Sequence, residues 1–318
     1  MRLLALCLAI VGLAFITGAG ATIERVFADH TGDTAYGVIA VDGFAYVANN
    51  GGVSIYDVRD PEHPRLIADP GWLGGAAFDV VVDAAMLYVA GIRNGLVIAD
   101  VSDPAMPRIL SRVGTDVVDV FAYRGIVYAS AIGANLAMYD VADPVSPRFL
   151  GELPWGHVDG VAGRGDYLYV THPSRGIVLL DIADPAHPVE VDVLNLSSGA
   201  LTLEVRAEFL FVAKYGNGIQ IYDISAPDRP RSIFRLADSG EAWDASGEYP
   251  IVCVADLQEG IEVIDASASN VSSSVIASDD TLAPHAVHYE GGYIHVADQD
   301  EGYVLLRLSQ DSEPPSEG

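Results

Sequence analysis

The chain is predicted to be an all-β, seven-bladed β-propeller with four-stranded blades, its ring closed by a strand from the N-terminus. Three observations carry this: a unit that recurs about every 42 residues, short apolar runs divided by turn residues, and chain ends whose missing and surplus strands match. In its second copy the unit reads Phe78-Asp79-Val80-Val81-Val82, then Leu87-Tyr88-Val89-Ala90, then Gly95-Leu96-Val97-Ile98-Ala99-Asp100. The aspartates ending the third run are Asp57, Asp100, Asp140, Asp181, Asp223 and Asp265, spaced 43, 40, 41, 42 and 42 residues apart. A seventh copy has Tyr293-Ile294-His295-Val296-Ala297 and Gly302-Tyr303-Val304-Leu305-Leu306, with Arg307 in place of the aspartate. The runs are rich in β-branched residues and lack spacing of three and four over a helix length, so a helical solenoid of similar period does not fit.

Each third run leads into a turn, Asp60-Pro61 to Pro64, Asp103-Pro104 to Pro107, Asp143-Pro144 to Pro147 or Asp184-Pro185 to Pro188. Proline has a fixed φ and no N–H, which suits a turn before an outermost strand, and the aspartate can accept backbone N–H bonds there. The seventh copy stops after its third strand near Leu308, while Arg25-Val26-Phe27-Ala28 precedes the first copy and aligns with the fourth-strand segment Arg65-Leu66-Ile67-Ala68. The N-terminal strand therefore supplies the missing outer strand of blade seven. The propeller is expected over residues 22–308, with the acidic, proline-containing segment 309–318 a disordered tail.

The units Gly-Leu-Val-Ile-Ala-Asp-Val-Ser-Asp-Pro (95–104) and Gly-Ile-Val-Leu-Leu-Asp-Ile-Ala-Asp-Pro (176–185) resemble the LVIVD-repeat family. That family comprises repeats of β-propeller type in exported or surface proteins of bacteria and archaea, and the resemblance spans essentially the whole chain after its leader. Copies five, six and seven depart from the pattern, with Ala226-Pro227, Ala266-Ser267-Ala268-Ser269 and Arg307 at the positions concerned. The resemblance implies an architecture and a scaffold role, and brings no shared catalytic residues.

Residues 1–21 read as a cleavable signal peptide: Arg2, an apolar run from Leu3 to Ile16, then Ala19-Gly20-Ala21. The expected product is secreted or periplasmic, without membrane insertion of the mature chain. Cys7 lies too near the N-terminus to serve as a lipidation site, and Cys253 sits in the apolar run Ile251 to Ala255, as a buried, inert thiol would. The chain carries 44 acidic against 17 basic side chains, a formal charge of −27, with Lys214 its sole lysine. Such a chain repels phosphate backbones, so nucleic acid is excluded as a partner.

Function is expected on the ring face where the innermost strands begin. Aligned on the Tyr-Val-Ala strand, their starts are Gly37, Asp79, Asp119, Asp159, Thr202, Asp244 and Ala286. No cofactor is predicted; Asp79, Asp119, Asp159 and Asp244 are the one set that could gather oxygen ligands for Ca²⁺ or bind an amine. The alternative is that each bonds backbone N–H groups of its own blade. Trp72 and Trp155 in Gly-containing loops suit sugar or peptide recognition, whereas Trp243 falls at a position held elsewhere by Tyr36, Phe78 and Val118 and reads as packing between blades. His157, Arg93, His172, Arg175, Lys214 and Tyr215 complete the candidate ligand face, since repeat proteins place variation on their binding loops. His288 and His295, flanking Gly291-Gly292, are expected to be cross-strand neighbours in a buried pair.

No nucleophile elbow, phosphate-cradling loop or zinc-spaced cluster is present. The sequence therefore points to a non-enzymatic scaffold for a protein or glycan at the cell surface or in the periplasm. The rival is a polysaccharide lyase or hydrolase using Asp119, Asp159, His157 or His285 at the channel mouth.

Overall fold

The computed structural model describes residues 21–29, 33–114, 116–131, 135–155, 158–172, 174–196, 200–237, 240–268, 274–280 and 282–310. Its strands form seven four-stranded antiparallel sheets. Blade two shows the plan, with strands Asp79–Asp83, Met86–Gly91, Gly95–Asp100 and Arg108–Val113 running outward in chain order. The innermost strands are Ala35–Val41, Asp79–Asp83, Val117–Tyr123, Val161–Arg164, Ala200–Arg206, Ala242–Glu248 and Pro284–Glu290. Each contacts the innermost strand of the next blade, and the last contacts the first, so the ring is closed. Among the described residues no helix is long and apolar enough to cross a membrane.

The second strand of every blade is apolar on both faces because both are buried. In blade one Tyr46 and Ala48 pack with Val80, Val89 and Val97 of blade two, while Ala45 and Val47 pack with Ala297 and Leu305 of blade seven. Each of the described hydrophobic clusters likewise lies between two adjacent blades. The core is thus divided among the interfaces, and no blade has a buried core of its own.

Closure works as expected, by pairing Ala21–Ala28 with the third strand of blade seven, but in a different register. That third strand, Gly302–Gln310, continues past 308, so that Ser309 and Gln310 pair with Thr22 and Ala21. Ala21, the expected last residue of the leader, is buried in the interface between blades six and seven. Arg307 stands opposite Glu24, as Asp57 stands opposite Arg65, so Glu24 and not Arg25 is the counterpart of Arg65. The expected alignment is one residue out because it matched arginine to arginine, and the charges here are exchanged.

Four blades carry the same ion pair between the end of strand three and the start of strand four: Arg65–Asp57, Arg108–Asp100, Arg148–Asp140 and Arg231–Asp223. Blade seven inverts it, with Arg307 bonded to Glu24 and, at 2.7 Å, to Glu62 of the blade-one turn. An arginine on the closing strand would meet Arg307, so the inversion suits this strand alone to this blade. Glu24→Arg is expected to destabilise by about 1 kcal/mol or less, as exposed pairs do. Arg307→Asp should cost more, because Glu62 also loses its partner, and combining the two should recover the Glu24 part. A double-mutant cycle in urea unfolding checks this; zero coupling would show that charge plays no part in closure.

The Asp-Pro turns hold as predicted. Asp103, Asp143 and Asp184 accept backbone N–H bonds from Ala105, Val145 and Ala186. The strand-ending aspartates accept from residues two further on, and at Asp100 the bonds from Ser102 and from Arg108 hold the carboxyl down at about 2.

Candidate functional site

An innermost strand leaves one edge of backbone unpaired toward the channel, and its N–H groups must find partners. Side chains of the preceding blade supply them. Asp79 Oδ2 accepts from Val120 N at 3.0 Å, Asp244 Oδ2 from Val287 N at 3.0 Å, and Ser246 Oγ from Tyr289 N at 2.9 Å. Glu204 Oε2 accepts from Gly247 N at 3.3 Å. The aspartates therefore join neighbouring blades, where the sequence reading had each serving its own. Asp159 lies outside the set: Gly160, not Asp159, meets Thr171 at the equivalent position, and Thr171 Oγ1 accepts from both of their N–H groups. A Cβ on Gly160 would lie 2.6 Å from Leu201 O, so the next blade's backbone leaves no room for a side chain there.

Asp159 does line the channel, with Asp79, Asp119, Glu204 and Asp244, around a cavity of about 730 Å³. Asp79 and Asp119 are hydrogen-bonded to each other. Burial raises both carboxyls, and at Asp119 the charge of Asp79 adds to the effect, so the pair holds a proton. Burial raises Glu204 and Asp244 as well. Among the described residues no three His, Cys, Asp or Glu side chains come together as a metal site. The expected Ca²⁺ ring is not assembled, because Asp79 and Asp244 spend oxygens on backbone N–H groups and Asp159 is displaced.

The mouth of this cavity carries a feature that the sequence reading missed. Phe78 stacks on Tyr36 at 4.8 Å, Tyr36 meets His285 at 5.4 Å, His285 meets Trp243 edge-on at 5.6 Å, and Trp243 meets Tyr215 edge-on at 6.3 Å. These five rings come from blades two, one, seven, six and five, and form a continuous arc. Phe78, Tyr36, His285 and Trp243 line the cavity itself. Trp243 is thus a mouth residue, contrary to its reading as packing between blades, and its buried indole N–H has no partner among the described residues. Burial lowers His285, which keeps its ring neutral near pH 7. The signal was present as a recurring aromatic just before the strand-start position, but at this period it looks like core.

The other candidates divide sharply. Tyr215 is 49% exposed, joins the arc and bonds Glu241. Trp72 closes a single 3₁₀ turn, Pro70–Trp72, and its Nε1 donates to Val53 O at 2.8 Å, which anchors the loop between blades. Trp155 packs on the core between blades three and four and against His172. His172 and Lys214 occupy the end of strand two, where Asn49, Asp256 and Asp298 cap the following loop by accepting its N–H groups. His172 Nδ1 does the same for Ser174 N, and Lys214, 1% exposed, reaches Gln220 in its own blade. Arg175 forms a bidentate pair with Glu190. Arg93 lines a separate cavity of about 330 Å³ with Asn94 and Gly74. His157 lies outside the described residues.

His288 and His295 are cross-strand partners as expected, with ring centroids 6.3 Å apart. His295 takes the place of Tyr46, Tyr88, Tyr128 and Tyr169 in other blades and is hydrogen-bonded through Nδ1 to the Tyr303 hydroxyl at 2.8 Å. His288 Nε2 lies 3.3 Å from Arg206 Nη2. Cys253 is fully buried, which pushes its thiol well up and leaves it inert.

A family model for the LVIVD repeat matches residues 32–69, 74–115, 155–196, 199–238 and 285–316. It therefore covers copies five and seven, which had looked divergent, and passes over copies three and six. No curated protein matches the sequence. Among solved structures, the computationally designed Ika8 protein superposes with a TM-score of 0.67 at 8% identity, over 89% of this chain and 99% of that one. Raptor of Chaetomium thermophilum superposes with a TM-score of 0.68 at 13% identity, over 91% of this chain but only 29% of the longer one. At such identities the likeness is one of fold.

Proposed function

The chain belongs to the LVIVD-repeat family, and from that premise we propose that it is an exported, non-catalytic binding scaffold whose site is the mouth of the propeller channel. The observation that carries this reading is the aromatic arc, which five blades assemble over an acidic cavity. Aromatic rims with scattered polar groups favour recognition of a glycan or an exposed protein segment. Export is supported by the leader-like segment 1–21. The binding face moves inward from the loops of Trp72 and Trp155 to Trp243, Tyr36, Phe78, His285 and Tyr215, because the first two tryptophans are occupied in holding their loops.

A glycan array and capture from an envelope fraction, run with the native chain and with Trp243→Ala, test the reading. Capture should fall at least about tenfold in the variant, in keeping with a central aromatic anchor. Undiminished capture would remove the mouth as the site. The enzymatic alternative draws on the Asp79–Asp119 pair, in which one carboxyl is protonated. Direct hydrogen bonding places the two closer than the roughly 5–9.5 Å that glycoside hydrolysis needs between its carboxyls. Turnover on a polysaccharide panel that is lost in Asp119→Asn would restore that alternative.

A further inference from the structure

We propose that the channel mouth recognises an organic cation of the alkylammonium type, held against the Tyr36, Trp243 and His285 rings above the channel carboxyls. This deepens the binding-scaffold reading and rests on it. Two independent features converge on that ligand class. The first is the set of ring faces: Phe78, Tyr36, His285 and Trp243 come from four blades and line one cavity. Aromatic rings carry negative potential on their faces and attract a cation within about 6 Å of their centroids, most strongly where water is excluded. The neutral state of His285 matters here, since an imidazolium would repel the same ligand.

The second feature is the charge of the wall. Asp79, Asp119, Asp159, Glu204 and Asp244 line the cavity, and none of its lining residues is a lysine or arginine. The nearest cationic side chain, Arg206, is already paired with Glu204 at 3.0 Å. Five carboxyls without a facing cation raise one another's proton affinity, and the shared proton of Asp79 and Asp119 shows how the wall relieves that crowding. An ammonium group at the mouth would relieve it too, with its alkyl surface on the rings. A bare inorganic cation fits less well: the aspartate oxygens are engaged by Val120 and Val287 N–H groups and do not form a ligand shell. The unpartnered Trp243 indole N–H adds a donor suited to a hydroxyl or carbonyl oxygen carried by the ligand. A neutral sugar would use the rings but gain nothing from the carboxylate wall.

The shared chemistry has two sources, a free small amine or a lysine side chain on a macromolecule. Choline represents the first and an acetylated, amidated lysine the second. Calorimetric titration of the full chain with each, beside 3,3-dimethylbutan-1-ol as the uncharged counterpart of choline, decides the matter. At least one cation should bind at least about tenfold more tightly than the alcohol, as desolvated cation–π contacts imply. Choline alone would indicate a small free ligand, and lysine alone or both a side chain on a partner. Tyr36→Leu and Trp243→Ala should each weaken the cation severalfold, with unfolding midpoints confirming that the ring is intact. No saturable binding of either cation at millimolar concentration, or equal binding of the alcohol, overturns the proposal without requiring any variant. If the cations fail while Trp243→Ala still abolishes capture of a glycan or protein, the ligand class is wrong and the site stands. If capture is also indifferent to Trp243, both readings fall.

Discussion

Gly95→Ala is expected to cost about 2–5 kcal/mol of stability, among the largest effects of any single methyl in this chain. Gly95 opens the third strand of blade two with φ +68°, and an added Cβ would lie 2.3 Å from Val113 O and 2.5 Å from Gly114 O. Two penalties therefore combine: left-handed backbone with a Cβ, at roughly 1–2 kcal/mol, and overlap with carbonyls where the fourth strand ends, at roughly 1–3 kcal/mol. Those carbonyls belong to backbone that is itself paired in the sheet and cannot move aside cheaply. Gly176 and Gly260 repeat the arrangement, with Cβ positions 2.3 Å from Leu194 O and 2.0 Å from Asp279 O. Gly165 separates the terms: it also has positive φ, but nothing lies within 4 Å of its Cβ position. Gly165→Ala should cost the backbone part alone. Urea unfolding of both variants tests this, and equal losses would mean that the overlap is relieved without cost.

Acidification should destabilise the ring through His295. The imidazole is 4% exposed, and burial depresses it from 6.5 to about 3. A base with a depressed folded value is neutral in the fold, so its contribution is intact above pH 6.5 and is lost as the pH falls from there toward about 3. Between pH 7 and pH 5 the loss is about 2 kcal/mol for this group. The raised carboxyls, Asp79, Asp119, Glu204 and Asp244, act in the opposite sense, gaining as they take up protons. Comparison with His295→Phe cancels their part, because both proteins contain them. Phenylalanine suits the site, since Phe211 holds the same position in blade five. The native chain should lose about 2 kcal/mol more than the variant over that interval. Parallel profiles would show that water reaches the native imidazole.

Much of this molecule is legible along the chain. Strands such as Leu87 to Ala90 and Gly95 to Asp100 declare themselves through apolar runs bounded by turn residues, because their two faces are buried between blades whatever the ring's details. The count of blades and the closing strand follow from the period and from the ends. The charge inversion at Glu24 and Arg307 is visible in the residues too, but reading it needs the register, and similarity of arginines pointed one residue away.

The site was only half legible. Asp79, Asp119 and Asp244 were identified as channel residues, yet their partners were assigned to the wrong blade. Lys214 and His172 looked like ligand groups because they vary, whereas their position requires only a loop cap. Tyr36, Phe78, Trp243 and His285 looked like core because they recur. A repeat specifies the equivalent place in each blade, through local alternation of faces, and so the sequence by itself determined the propeller, its seven blades and its closure. What a side chain meets at the channel depends on how closely the next blade's backbone approaches. Five rings separated by whole repeats become neighbours only when the first and last blades join. The acidic cavity with its aromatic mouth was therefore decided by tertiary structure alone.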